Sequence, residues 1–119
     1  MSMNKSYYVI AGYDLTSLET DKYRDWKWTD EGEEFLCHQS KGHIQLFDDP
    51  ESNNHLYLGF ILAAGDKWNF ETTKFDLADV HNAFDEVTWM LYRLQQIGIV
   101  DYSNKSVPTY QIIVFEECR

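Results

Sequence analysis

Four histidines, two cysteines and twenty carboxylates are the side chains of this 119-residue chain best able to do chemistry. His38 and His43 stand five apart, and Asp48, Asp49, Glu51 and His55 crowd one short stretch, so oxygen and imidazole ligands for a divalent ion can be drawn from them. The stretch lacks the alternation and central glycine of a calcium-binding loop, and Asp48-Asp49-Pro50-Glu51-Ser52-Asn53-Asn54 is a run of turn formers. It reads as a solvated turn, with no metal and no cofactor. Cys37 lies next to His38, but adjacent positions point different ways on a helix or a strand, which argues against a thiol paired with its base. His81 reads as an exposed helix-flank side chain. Phosphate-cradling glycine loops, HExxH, GxSxG and CxxC are absent, and no catalytic residues are assigned.

Charge says more than motif. Twenty Asp and Glu against ten Lys and Arg leave a formal charge of −10, the opposite of the cationic footprint that direct nucleic-acid or anionic-membrane binding needs. The partner this implies is a basic protein. Within residues 14–34, Asp14, Glu19, Asp21, Asp25, Asp30, Glu31, Glu33 and Glu34 face only Lys22, Arg24 and Lys27, eight acidic against three basic side chains, a net −5 that is half of the total. Trp26 and Trp28 lie among these carboxylates, and tryptophan is well suited to anchor an interface. The candidate partner-binding residues are Asp25, Trp26, Trp28, Asp30, Glu31, Glu33 and Glu34, joined by Trp89 and Tyr92 from a second region.

That second region is the clearest element in the sequence. Leu77, Val80, Phe84, Val87, Leu91 and Leu94 recur three and four apart, which predicts a helix over residues 76–98 with one apolar stripe. Asp76 suits the N-cap, Asp79 the first turn, and Gly98 a left-handed position after the last turn. Phe84 and Val87 are expected in the core, Asp85 and Gln96 in solvent. Trp89 falls in the middle of the polar face, beside Asp85, Tyr92, Arg93 and Gln96. A tryptophan there is either covered by another piece of the chain, such as the Trp26 and Trp28 segment, or left as a protein-binding anchor.

The remaining elements are shorter. Tyr7-Tyr8-Val9-Ile10-Ala11 is a β-branched and aromatic run that predicts a buried first strand reaching toward Tyr13 or Leu15. Thr16 with Glu19 fits a capping box, followed by at most a short turn of helix. Thr29 opens a better helix over residues 30–39, with an acidic first turn, Phe35, Leu36 and Gln39 toward a sheet, and Gly32 as a weak point. Residues 43–47 alternate with Ile44 and Leu46 on one face and form a hairpin with a strand over residues 56–63. Trp68-Asn69-Phe70-Glu71-Thr72 offers an optional strand, and residues 110–115 a final one around Ile112, Ile113 and Val114. The order predicts one α+β domain over residues 1–119, an antiparallel sheet of four to five strands with a long and a shorter helix on one face, in ferredoxin-like (split βαβ) order. Met1-Ser2-Met3 reads as a cloning scar, and residues 1–5 as a disordered terminus. With no signal peptide, no apolar run near the roughly 20 residues that span a bilayer, and two cysteines outside any secretory context, a cytoplasmic protein with reduced thiols is predicted.

Two resemblances bear on function. The first strand ending in Tyr13-Asp14, followed by Gly42-His43-Ile44-Gln45-Leu46-Phe47, resembles the small ferredoxin-like Cas2 proteins of CRISPR loci. That resemblance implies a metal-dependent nuclease with Asp14 as its metal-associated residue. In its charge and aromatics, as a class and not by a motif, the chain is similar to the acidic inhibitors encoded by phages and mobile elements, such as anti-CRISPR and anti-restriction proteins, some of them DNA mimics. Carboxylates spaced beside exposed aromatics can occupy a cationic groove built for nucleic acid. Toxin-immunity proteins use the same physics. The leading expectation is a protein-binding inhibitor of a nucleic-acid-handling protein such as a nuclease, not an enzyme. An immunity or assembly module is the second reading, the nuclease the third, and the oligomeric state stays open.

Overall fold

The computed structural model describes residues 5–38, 43–49, 55–66, 74–103 and 105–118. Along the chain lie β1 (Lys5–Asp14), α1 (Tyr23–Trp26), α2 (Asp30–His38), β2 (Ile44–Asp49), β3 (His55–Asp66), α3 (Leu77–Gln96) and β4 (Gln111–Cys118). The strands form one antiparallel sheet in the order β2-β3-β1-β4, and the fold is of the α+β class. The predicted strand at 68–72 lies outside the described residues, as do Gln39 and Glu51. β1 begins at Lys5, inside the terminus that the sequence suggests is disordered. Thr16 caps no helix: its backbone N–H and its hydroxyl both donate to the Asp14 carboxylate, at 3.0 and 2.6 Å, in a tight turn after β1.

Helices α2 and α3 share one face of the sheet. Phe35 from α2 and Ala83, Val87, Met90, Leu91 and Leu94 from α3 are buried in one cluster with Tyr13, Ile44, Leu56 and Leu58 from the strands. Tyr13 and Thr88 share a hydrogen bond of 2.7 Å that pins α3 to β1. The predicted stripe of α3 is right in period and in Val87, Leu91 and Leu94, which are buried, but its centre is rotated by part of a turn. Leu77 is 70% and Phe84 41% exposed, while Ala83 and Met90 take the buried line. Ala83 is buried in the core cluster, and Phe84 packs on Tyr110, the two rings nearly perpendicular at 4.9 Å. Asp85 and Gln96 are exposed, as the sequence predicts. Asp76 takes the N-cap position but its side chain caps nothing, and Gly98 adopts φ +83°, a left-handed turn that favours glycine.

Strand alternation and register place Tyr8, Ile10, Phe47, Tyr57 and Phe115 on the opposite face. Phe115 pairs with Tyr8 and Tyr57 with Asp14, six residues apart on β1, or about 20 Å of extended strand. Yet the Phe115 and Tyr57 rings are 5.0 Å apart, so the sheet must curl around this face. The β1–β3 ladder is irregular at Val9/Ile10, and Gly12 faces Gly59. A Cβ at Gly12 would lie 1.9 Å from the Leu58 carbonyl oxygen, which marks where the strands come too close for a side chain. Rings of Tyr8, Phe47, His55, Tyr57 and Phe115 fill the resulting concavity at centroid distances of 4.4 to 5.5 Å. The sequence reading, which places the helices on one face, does not foresee this second apolar layer.

Candidate partner-binding surface

The acidic segment is held to the scaffold by backbone bonds. After β1 the chain turns at Leu15 and Leu18, both buried, and the Thr20 N–H donates to the Ile99 carbonyl at 3.0 Å while Asp101 N–H donates to the Leu18 carbonyl at 3.0 Å. The Thr20 hydroxyl adds bonds to the Gly98 and Ile99 carbonyls at 2.6 and 2.8 Å. Residues 15–20 are thus stitched to the chain leaving α3, and carboxylates beyond them project from a fixed base. Glu19, Asp21 and Asp25 line, with Thr16, Thr20 and Arg24, an open cleft of about 440 Å³. Glu19 and Asp21 were not singled out in the sequence as site residues; their place in the −5 segment is the signal that could have marked them.

The two tryptophans of this segment separate. Trp26 is half-buried, with ring centroids 6.5 Å from Tyr23 and 5.7 Å from Phe35, and packs against the core. Its partners are two buried rings, so its first role is structural. Trp28, two residues on, is 80% exposed, and its only ring contact among the described residues is the Lys27 ammonium 5.2 Å from its centroid. The same ammonium donates to the Asp48 carboxylate at 2.6 Å, tying the α1–α2 junction to β2. Thr29 caps α2: its hydroxyl accepts from Gly32 N–H at 3.1 Å and donates to the Trp26 carbonyl at 2.7 Å. Gly32, read from sequence as a weak point, is buried where a Cβ would stand 2.2 Å from the Trp26 carbonyl oxygen. Glycine is what lets α1 and α2 meet. Asp25, Asp30, Glu31, Glu33 and Glu34 are all exposed, and Asp30, Glu31 and Glu33 fall in the first turn of α2, where negative charge complements the helix dipole.

Trp89 and Tyr92 are 49% and 54% exposed on α3. No part of the Trp26 and Trp28 segment contacts Trp89 in any ring pair among the described residues; the ring stays half-exposed, with the Arg93 guanidinium of its own helix 5.6 Å from the centroid. Gln96 donates to the Tyr92 hydroxyl at 3.2 Å. Beside Trp89, the residues Ile44, Asp85, Glu86 and Met90 form a groove of about 250 Å³ between α3 and the start of β2. Its apolar floor and acidic rim match a cationic side chain with an aliphatic stem.

Burial shifts one group near this segment and hydrogen bonding another. The Tyr23 phenol is pushed well above its ordinary range, chiefly by burial and next by the nearby Asp48 carboxylate. Asp101 is held below the usual carboxylate range, first by the hydrogen bond from the Ser103 hydroxyl. Among the described residues, no group of three or more His, Cys, Asp and Glu side chains is placed to hold a metal ion. The Asp14 carboxylate, which the nuclease resemblance singles out, is engaged by Thr16. His43 is exposed and stacks on Phe60 at 5.8 Å, while His55 is buried among rings; the side chain of His38 lies outside the described residues. No helix among the described residues is long and apolar enough to cross a membrane. No family model, no curated protein and no solved structure matches this chain.

Proposed function

We propose that this protein acts by binding a basic protein partner, as an inhibitor that occupies the cationic groove of a nucleic-acid-handling protein. The observation that carries the reading is Trp28, 80% exposed in a segment whose five candidate carboxylates, Asp25, Asp30, Glu31, Glu33 and Glu34, all face solvent. Among the described residues only the Lys27 ammonium touches this ring, and an indole so exposed offers a desolvating anchor amid steering charge. Lys27, already bonded to Asp48, leaves the junction's local charge dominated by carboxylates. The element order, with β1 between β3 and β4 and both longer helices on one face, supports a ferredoxin-like scaffold for this surface.

Charge and anchor have separable kinetic roles. Reversing Asp30, Glu31, Glu33 and Glu34 to lysine is expected to slow association and flatten its dependence on salt. Trp28→Ala is expected to speed dissociation and cost about 2 kcal/mol of affinity or more, with unfolding stability changed by less than about 0.5 kcal/mol because the ring is exposed. The partner is obtained by cross-linked capture from the native host and identified by mass spectrometry; binding kinetics then follow at low and moderate salt. A captured protein that is not basic, or one whose association is indifferent to the four-charge variant, would remove the acidic segment from the interface.

A further inference from the structure

The two edges of the sheet are not alike. β2, at one edge, has six residues, ends in Asp48 and Asp49, and is backed by α2 and the Lys27–Asp48 ion pair. β4, at the other, has eight residues and pairs with β1 through eight consecutive positions without irregularity. Its first five residues, Gln111-Ile112-Ile113-Val114-Phe115, carry no charge and no proline in a chain that is 25% charged. Edge strands in stable monomers are commonly blunted by charge, proline, a bulge, shortness or a covering element. Among the described residues, the centre of β4 has none of these.

The side chains add a surface to the open edge. Val114 is 69% and Ile112 41% exposed. Both lie, by alternation, on the face that carries α3, but α3 packs mainly over β3 and β1. Phe84, 41% exposed and against Tyr110, continues this row, and Leu77, 70% exposed, lies two turns earlier on the same side of α3. We infer that β4 is a self-association edge, where a second copy of this chain adds its own β4 antiparallel to the first and joins two sheets into one.

Charge selects this occupant. An uncharged apolar strip does not complement the basic partner proposed above, which needs carboxylates. A second copy meets it with the same strip, since an antiparallel pairing about a two-fold axis is isologous. Centred on residues 111–115, that pairing sets the Glu116 end of each strand against the Tyr110 end of the other, so glutamates do not face glutamates. A parallel pairing would stack them. The acidic segment at 14–34 belongs to other elements, so the dimer would display two copies of it.

Sedimentation velocity of the purified chain at about physiological salt, from a few micromolar to several hundred, tests the inference. Reversible conversion from monomer to dimer is expected, with a dissociation constant on the order of 100 µM or tighter. Val114→Lys, at a position 69% exposed, is expected to weaken the dimer at least about tenfold while circular dichroism stays unchanged. Hydrogen exchange on the unaltered protein gives a readout that no variant can confound: amide protection within residues 111–115 should rise with concentration. A chain that stays monomeric across the range, or a dimer that Val114→Lys and Ile112→Lys both leave within about threefold and that adds no protection in β4, would overturn the inference.

Discussion

Trp26 and Trp28 differ by two positions and have opposite fates, because α1 ends between them. The first ring turns inward onto Tyr23 and Phe35; the second is carried out over the surface by the junction that Thr29 and Gly32 fix. Composition can mark both as anchors, but only the turn geometry separates them. Tyr23, the ring at the base of this junction, also sets a pH response. Its phenol ionises near 10.0 when solvated, and burial first, then the Asp48 carboxylate, hold the folded form protonated well above that. The folded state therefore keeps a proton that the unfolded chain gives up once pH exceeds about 10. The contribution is complete below that pH and is lost as pH rises beyond it. Urea unfolding between about pH 9 and 11 should show stability falling, and Tyr23→Phe should fall less steeply. Tyr57 and Tyr110 are shifted the same way by burial, so the variant should retain part of the slope. Identical slopes for the two proteins would show that Tyr23 ionises freely in the fold.

At the scale of elements, periodicity shows what forms and tertiary packing decides which side is inside. The three-and-four spacing from Leu77 to Leu94 is enough to place α3, since a helix needs only a stripe. Val87, Leu91 and Leu94 lie inside as the spacing predicts, while Ala83 and Met90 join them and Leu77 and Phe84 are left exposed, because packing against the sheet sets the centre of the buried side. Leu94→Ala, at a site with 0% exposure, should cost about 2 to 5 kcal/mol in chemical denaturation. Phe84→Ala, half-exposed against Tyr110, should cost less than that despite removing more atoms. The reverse order would return Phe84 to the core. β2 was legible for its Ile44 and Leu46 face and not for Phe47, because a ring on the far face acquires partners only when the sheet curls at Gly12 and Gly59. Local patterns in β1, β2 and β4 do not encode that curl; it arises from the pairing of strands far apart in sequence. His55 shows the same gap. Read from sequence as part of a solvated turn, it starts β3, is 5% exposed, stacks on Tyr57 at 4.4 Å, and its Nε2 has no hydrogen-bond partner among the described residues.

For the whole molecule, the charge of −10 acts on folding and on binding in opposite senses. Carboxylates at Asp25, Asp30, Glu31, Glu33 and Glu34 stay exposed on one short stretch of chain, so their mutual repulsion is present in the folded state and relaxes when the chain expands. A partner of opposite charge turns the same field into attraction. Salt weakens both, since at about 0.1 M the screening length is near 10 Å. Raising sodium chloride from about 20 to 500 mM should therefore raise the unfolding free energy of the isolated protein, by an amount on the order of 1 kcal/mol, while slowing association with the basic partner we propose. The Asp30, Glu31, Glu33 and Glu34 to lysine variant tests whether one charge set underlies both. Its association should become less sensitive to salt, and its stability should respond less to salt as well, although it gives up favourable contacts between first-turn carboxylates and the α2 dipole. Stability of the unaltered protein that is flat across this range would mean that the carboxylates stand far enough apart to ignore one another. In that case a steering field built on this segment would be correspondingly weak, and the exposed Trp28 would have to account for most of the binding.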